Sequence, residues 1–388
     1  MLNKCQIPTI NVIVLKSTRN TVNSVFIKDI CEPTLLIDET KCKNNIDKIF
    51  TKVKSMGIEF RPHFKTHQSK AIGKWFWEKG VRKITVSSLK MAKYFMQSDW
   101  RDILIAFPLN IRELDEILII AKHIDLKLTI SDVYSLEFLN RILTFPVDVY
   151  LEIDVGYKRS GFDINNADLI LKVLKIIQKS KFLNFLGLLA HNGLNYFAKS
   201  PEEVIENNKS FLAKLFDLKN LLISMSYNPL LSVGDTPSVS ICEDFAGVDE
   251  LRPGNFVFYD LMQTAIGSCT VDDIAICLAV PIVAMYPERN EVVCFGGAVH
   301  LSKESLKFED SEIYGLVVDI YDATWSSPIE DSYVKMITQE HSVIKTTKEF
   351  FRTHKVGDLI GILPVHSCLT ADAMKKYLNP NSAWLDHL

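Results

Sequence analysis

From Pro33 onward, short runs of β-branched and aliphatic residues alternate with stretches whose apolar positions recur at helical spacing. The apolar runs are TLLID, GIEFRPH, RKITVSS, DILIAF, LKLTIS, VDVYLEID, FLGLLAH and PLLSVGD, spread over residues 34 to 235. A helical segment follows each of the first seven. In KNNIDKIFTKVKSM, for example, Ile46, Ile49, Phe50 and Val53 fall on one stripe. The same periodicity recurs in NADLILKVLKIIQKS and NNKSFLAKLFDLKNLLI. Eight strand–helix units predict an α/β fold, a closed (β/α)₈ TIM-type barrel. No G-x-G-x-x-G follows the first strand, which removes the usual support for a doubly wound open sheet.

After RPGNFVFYD the alternation stops. AICLAVPIVAMY, EVVCFGG, IYGLVVDIY, SVIKT and DLIGILP read as strands separated by turns. The expected division is a barrel over residues 33–265 and a second, C-terminal β-rich domain over residues 266–388. Residues 1–32 form an N-terminal segment without a motif, a candidate addition to the β domain.

Composition narrows the class of partner. The 388 residues are 47% hydrophobic and 23% charged, with a net charge of −3, the balance of a soluble globular protein. That charge gives no footprint for nucleic acid or an anionic membrane, so the expected partner is a small molecule. No apolar stretch reaches the ~20 residues that a membrane span requires. INVIVL, preceded by Lys4 and Cys5, lacks a small-residue cleavage site after it and is not read as a secretory signal. The eight cysteines (Cys5, Cys31, Cys42, Cys242, Cys269, Cys277, Cys294 and Cys368) contain no C-x-x-C pair. They are expected to be reduced thiols of a cytoplasmic protein.

Three segments offer candidate chemistry, each with a plainer alternative. RPHFKTHQS, residues 61–69, ends the second apolar run, where barrel enzymes place their sites. Neighbouring cations and burial would lower the pKa of Lys65, and a neutral lysine amine forms an imine with an aldehyde cofactor. A basic surface loop is the alternative reading. In LSVGDTPS, backbone N–H groups and hydroxyls around Ser232, Gly234, Asp235 and Thr236 can cradle a phosphate, with the backbone of Asp235 rather than its carboxylate facing it. In PVHSC, His366 and Cys368 would project from one face of an extended segment, an imidazole and a thiolate that suit zinc, although an isolated H-x-C is common by chance.

P-H-x-K-T-H at a strand end, in a barrel of this repeat length, resembles the D-serine dehydratase and D-threonine aldolase family. These are fold-type III pyridoxal-phosphate enzymes related to alanine racemase. The resemblance implies that Lys65 binds pyridoxal 5'-phosphate covalently and that His63 acts as an acid or base. EIDVGYKRSG resembles a family strand-loop that puts an arginine, here Arg159, near the pyridine ring. GLLAHNGLNY matches the family pattern at Ala190, His191, Gly193 and Tyr196, but has Leu189 where a tyrosine is expected. ELRPGNFVFYD resembles the segment that closes the barrel, with Tyr259 as a cofactor contact. H-x-C near the C-terminus implies zinc on His366 and Cys368. CFGGAVHLSKE, residues 294–304, departs from the family pattern; within it His300 is a candidate to approach the metal or the substrate carboxylate.

The function implied is a pyridoxal-phosphate- and zinc-dependent lyase acting on a D-3-hydroxyamino acid. D-Serine would give pyruvate and ammonia. The alternatives are retro-aldol cleavage to glycine and an aldehyde, amino-acid racemisation, and cofactor binding without turnover. Relatives of this family imply a homodimer.

Overall fold

The computed structural model describes residues 29–308, 311–321, 324–379 and 383–388. Cys5, INVIVL and the rest of residues 1–28 lie outside the described residues. The two architectures expected from the sequence are both present, an eight-stranded parallel barrel and an antiparallel β-rich domain.

The barrel strands are Glu59–Phe60, Lys83–Val86, Asp102–Pro108, Asp125–Ile130, Val147–Asp154, Leu183–Leu189, Leu230–Val233 and Glu250–Leu251. The last pairs in parallel with both of its neighbours, Glu250 lying opposite Ser232 on one side and Glu59 on the other. The ring closes at the segment that carries Lys65, where His63 bridges Thr85.

One expected strand belongs elsewhere. Thr34–Ile37 is not in the barrel; it pairs antiparallel with Ile276–Tyr286 and parallel with Tyr377–Leu378. All four of its residues are buried, as they would be in either setting, so hydrophobicity alone does not separate the two. RPHFKTHQS therefore follows the first barrel strand, and Glu250–Leu251 takes the eighth place.

Alternation along the strands sorts the interior. In Val147–Asp154, Val149, Leu151 and Ile153 join the main core beneath the helices, while Tyr150 packs with Leu104 and Leu189 inside the barrel. Side chains two residues apart share a face, so Glu152 follows Tyr150 inward. At the opposite rim Arg61 Nε lies 2.6 Å from Glu250, and Lys127 Nζ 2.9 Å from Asp102. Pairing of this kind is what makes buried charges tolerable.

In the second domain, Glu291–Phe295, His341–Lys345, Tyr333–Ile337, Gly315–Asp319, Leu359–Pro364 and Ile276–Tyr286 pair in sequence, and the last returns to the first. Thr34–Ile37, Tyr377–Leu378 and Trp384–Leu385 extend this sheet. Leu359–Pro364 carries the chain directly to His366 at the barrel mouth. Met262 N bonding to Val365 O at 3.2 Å fastens the two domains there. Among the described residues no helix is long and apolar enough to cross a membrane.

Candidate active site

The C-terminal ends of the barrel strands pass into helices whose first residues are capped by a strand-end Ser or Asp. Ser69 accepts from Ile72 N, Ser88 from Met91 N, Asp132 from Ser135 N and Asp235 from Ser238 N. Each cap satisfies an otherwise unpaired helix N–H and fixes the exit of its loop. Between these loops and residues 366–368 lies a cavity of about 590 Å³.

Of the residues expected at a site, His63, Lys65, Arg159, His191, Tyr196, Gly234, Asp235, His366 and Cys368 line this cavity. Lys65 Nζ makes no ion pair or hydrogen bond among the described residues. Its side chain is solvent-exposed where it lines the cavity. Burial lowers its pKa; Cys368 opposes that shift, and Arg159 and Arg252 add to it. His63 Nδ1 accepts from Lys65 N at 3.3 Å. Burial first, and then the positive charges of Lys65 and Arg252, hold His63 neutral. His191 donates from Nδ1 to Gly234 O at 2.8 Å. Burial pushes its pKa down to about 3, leaving Nε2 unprotonated.

Arg159 forms no ion pair among the described residues and stands 5.6 Å from the Tyr157 ring centroid. It remains available to an anion. Gly234 has φ +152, and a Cβ there would come within 2.6 Å of Arg252 N, so only glycine permits this approach. Beside it the buried Thr236 Oγ1 has no hydrogen-bond partner, while Thr236 N lies 3.5 Å from Tyr196 OH. Asp235 directs its carboxylate away into the helix cap, accepting from Ser238 N and Ser238 Oγ at 2.7 Å each.

Three expected contacts, Ser232, Thr236 and Tyr259, are not among the residues that line the cavity. Ser232 faces the barrel interior, where its hydroxyl donates to Glu250 at 2.7 Å and accepts from Arg252 Nε at 2.7 Å. Tyr259 is fully buried against Ser240, 3.0 Å away. His67, the second histidine of the lysine segment, is stacked on Phe76 and edge-on to Phe64 in the core. His300 does not line the cavity; its Nδ1 accepts from Gly297 N.

His366 and Cys368 meet by a different route from the extended segment expected. His366 caps the helix Ser367–Met374, and Cys368 lies in its first turn. Burial works against the charge on His366, but the hydrogen bond and charge of Cys368 prevail and raise its pKa to about 10. Burial likewise opposes the Cys368 thiolate, yet His366 brings its pKa below the ordinary thiol value. Glu304, from the segment that departs from the family pattern, lies 2.6 Å from His366 Nδ1.

Pattern reading passed over Glu152, Arg252 and Asn255, all of which line the cavity. Glu152 accepts from Ser131 at 2.6 Å and Ser160 at 2.8 Å. Arg252 donates to Ala190 O at 2.9 Å and is a fixed cation in the wall. Asn255 donates to Asp260 at 2.6 Å and Ser367 at 3.0 Å, bracing residues 366–368. Arg252 and Asn255 were within reach, because both sit in the ELRPGNFVFYD segment.

The donor set fits two guests. An unpaired, easily deprotonated amine, two wall arginines and a glycine turn with an orphan hydroxyl suit an aldehyde bearing a phosphate. An imidazole with a thiolate-prone cysteine suits a zinc-like ion. Among the described residues no group of three or more His, Cys, Asp or Glu gathers to hold a metal. Ligands beyond the pair would have to come from solvent or substrate.

Comparison with known proteins adds the following. The family model described as alanine racemase, N-terminal domain, matches residues 37–261. A putative serine dehydratase domain matches residues 275–379. D-Serine dehydratase of Dictyostelium discoideum is 28% identical, the match covering 92% of this chain and 94% of that protein. D-threo-3-hydroxyaspartate dehydratase of a Delftia strain is 25% identical over 89% of this chain and 93% of its own. The solved structure of the Delftia enzyme matches with a TM-score of 0.86 at 24% identity, over 94% of this chain and 99% of that one. A mutant of it in a metal-free form gives 0.87 at 24% identity, over the same shares of the two chains. D-Threonine aldolase from Filomicrobium marinum gives 0.79 at 17% identity, over 93% of this chain and 95% of that one.

Proposed function

This chain belongs to the alanine racemase N-terminal domain family, and on that premise we propose that it eliminates water from a D-3-hydroxyamino acid. D-Serine is the proposed substrate, with pyruvate and ammonia as products. The single observation that carries the reading is the placement of the unpaired Lys65 amine in one cavity with His366 and Cys368. The names of the two dehydratase relatives support it further.

When bound, pyridoxal phosphate supplies an electron sink for charge at Cα, and a zinc ion supplies a Lewis acid for the departing hydroxyl. The chain's own residues do the rest. Lys65, its pKa lowered chiefly by desolvation, takes the Cα proton. His63, held neutral, stands beside it to accept or return a proton. Arg159 and Arg252 hold anionic groups. Gly234 and Thr236, with Tyr196, receive the phosphate. His366 and Cys368 hold the metal, His366 being oriented by Glu304.

A homodimer and a cytoplasmic setting belong to the same proposal; the cysteines of the described residues are all free.

Incubation with D-serine and D-threonine, with and without a chelator, tests the reading. Pyruvate from D-serine that disappears on chelation is the expected result. Glycine plus an aldehyde would make the chain an aldolase instead. Chelator-insensitive exchange of L and D forms would make it a racemase, and a cofactor spectrum without turnover a binding protein.

A further inference from the structure

The segment that carries Lys65 is held from outside the barrel. Tyr377 OH donates to His67 O at 2.6 Å, and Leu388 N donates to Gln68 O at 2.9 Å. The Gln68 side chain donates to Lys65 O at 3.3 Å and to Asp372 at 3.0 Å. Gln68 itself has φ 42, a left-handed conformation uncommon for a residue with a side chain. A strained residue persists where its surroundings over-determine it, and here both its carbonyl and its amide are tied to residues 372–388.

Asp386 makes the densest of these ties. Its Oδ1 accepts from Ser69 Oγ at 2.9 Å and Ala71 N at 3.1 Å, and its Oδ2 accepts from Lys70 N at 2.9 Å and from Tyr94 OH. It thereby completes the N-terminus of the helix Lys70–Glu78, whose own cap is Ser69. A carboxylate is favoured at that end of a helix by the unpaired N–H groups and the helix dipole. The helix start lies five residues beyond Lys65, so its placement sets where the lysine segment emerges.

We propose that Asp386 is a positioning residue for Lys65, clamping the lysine segment from the second domain so that the amine is held in the cavity. The proposal rests on the reading of Lys65 as the cofactor-binding amine. Both carboxylate oxygens are used, which predicts a graded series. D386A removes all four ties. D386N keeps an oxygen for Ser69 and Ala71 but turns an amide N–H₂ towards Lys70 N.

The test is steady-state kinetics and hydrogen exchange on the full-length holoenzyme of the parent, D386A, D386N and Tyr94→Phe. Misplacement of a catalytic group by about 1 Å costs up to about 100-fold in rate. D386A is expected to lower kcat about 10- to 100-fold with KM little changed, and to speed exchange in residues 64–71 while the distal barrel strands exchange as before. D386N and Tyr94→Phe are expected to fall between D386A and the parent. Unaltered kcat and exchange in D386A overturns the proposal, and so does exchange accelerated uniformly through the chain. A borohydride-trapped cofactor on some other lysine would instead sink the reading of Lys65. Trapping on Lys65 with D386A indistinguishable from the parent sinks only the clamp.

Discussion

Glu304 Oε2 stands 2.6 Å from Nδ1 of His366, joining residues 294–304 to the proposed metal pair. A carboxylate on one imidazole nitrogen fixes the ring and makes the other nitrogen a better donor. Glu304→Gln should therefore weaken zinc retention about 10- to 100-fold, measured by chelator competition, while cofactor absorbance persists. Unchanged retention would leave Glu304 without that role.

His67 makes the protein sensitive to acid. Burial foremost, with the nearby His387, depresses its pKa to about 3, against about 6.5 in an unfolded chain. The depressed value means that stability is fully present above about pH 6.5 and declines as pH falls towards 3, because the unfolded chain binds a proton that the folded one refuses. His67→Gln keeps an acceptor for Ser69 N and does not titrate. Denaturant midpoints between pH 7 and 4.5 should fall less steeply for this variant, by about one proton in the slope. An identical slope contradicts the assignment.

Asp235 acts with the opposite sign. Burial raises its pKa to about 6, against the hydrogen bonds from Ser238 and Asn195 that favour its charge. Its contribution is fully present below about pH 4 and is lost as pH rises through about 6. Asp235→Asn should then gain stability relative to the parent on going from pH 5 to pH 8, on the order of 1–3 kcal/mol. Thermal melts across that range decide it; a difference that is constant with pH refutes the buried charge.

Much of this was legible because apolar periodicity reports burial. The barrel strands from Lys83–Val86 to Leu230–Val233 each overlap an apolar run read from the sequence. Periodicity does not report which sheet buries a strand, so Thr34–Ile37 was placed in the wrong one. Glu250–Leu251 is too short to show any period. Glu152 was hidden for another reason: VDVYLEID reads as one buried strand, and only its paired alternation shows that Tyr150 and Glu152 point inward. Tyr259 illustrates the converse. Its motif is at the barrel end as expected, but φ 49 at this residue turns the ring into the core. The clamp by Asp386 joins residues more than 300 positions apart, which local pattern cannot show.

The proposed chemistry depends on which amine carries the cofactor. Reduction of the purified, yellow holoenzyme with borohydride, followed by peptide mass spectrometry, reads this directly. A pyridoxyl adduct confined to Lys65, and absent from Lys65→Ala, is the predicted result; an adduct on any other lysine, or a Lys65→Ala protein that keeps its yellow absorbance, contradicts it.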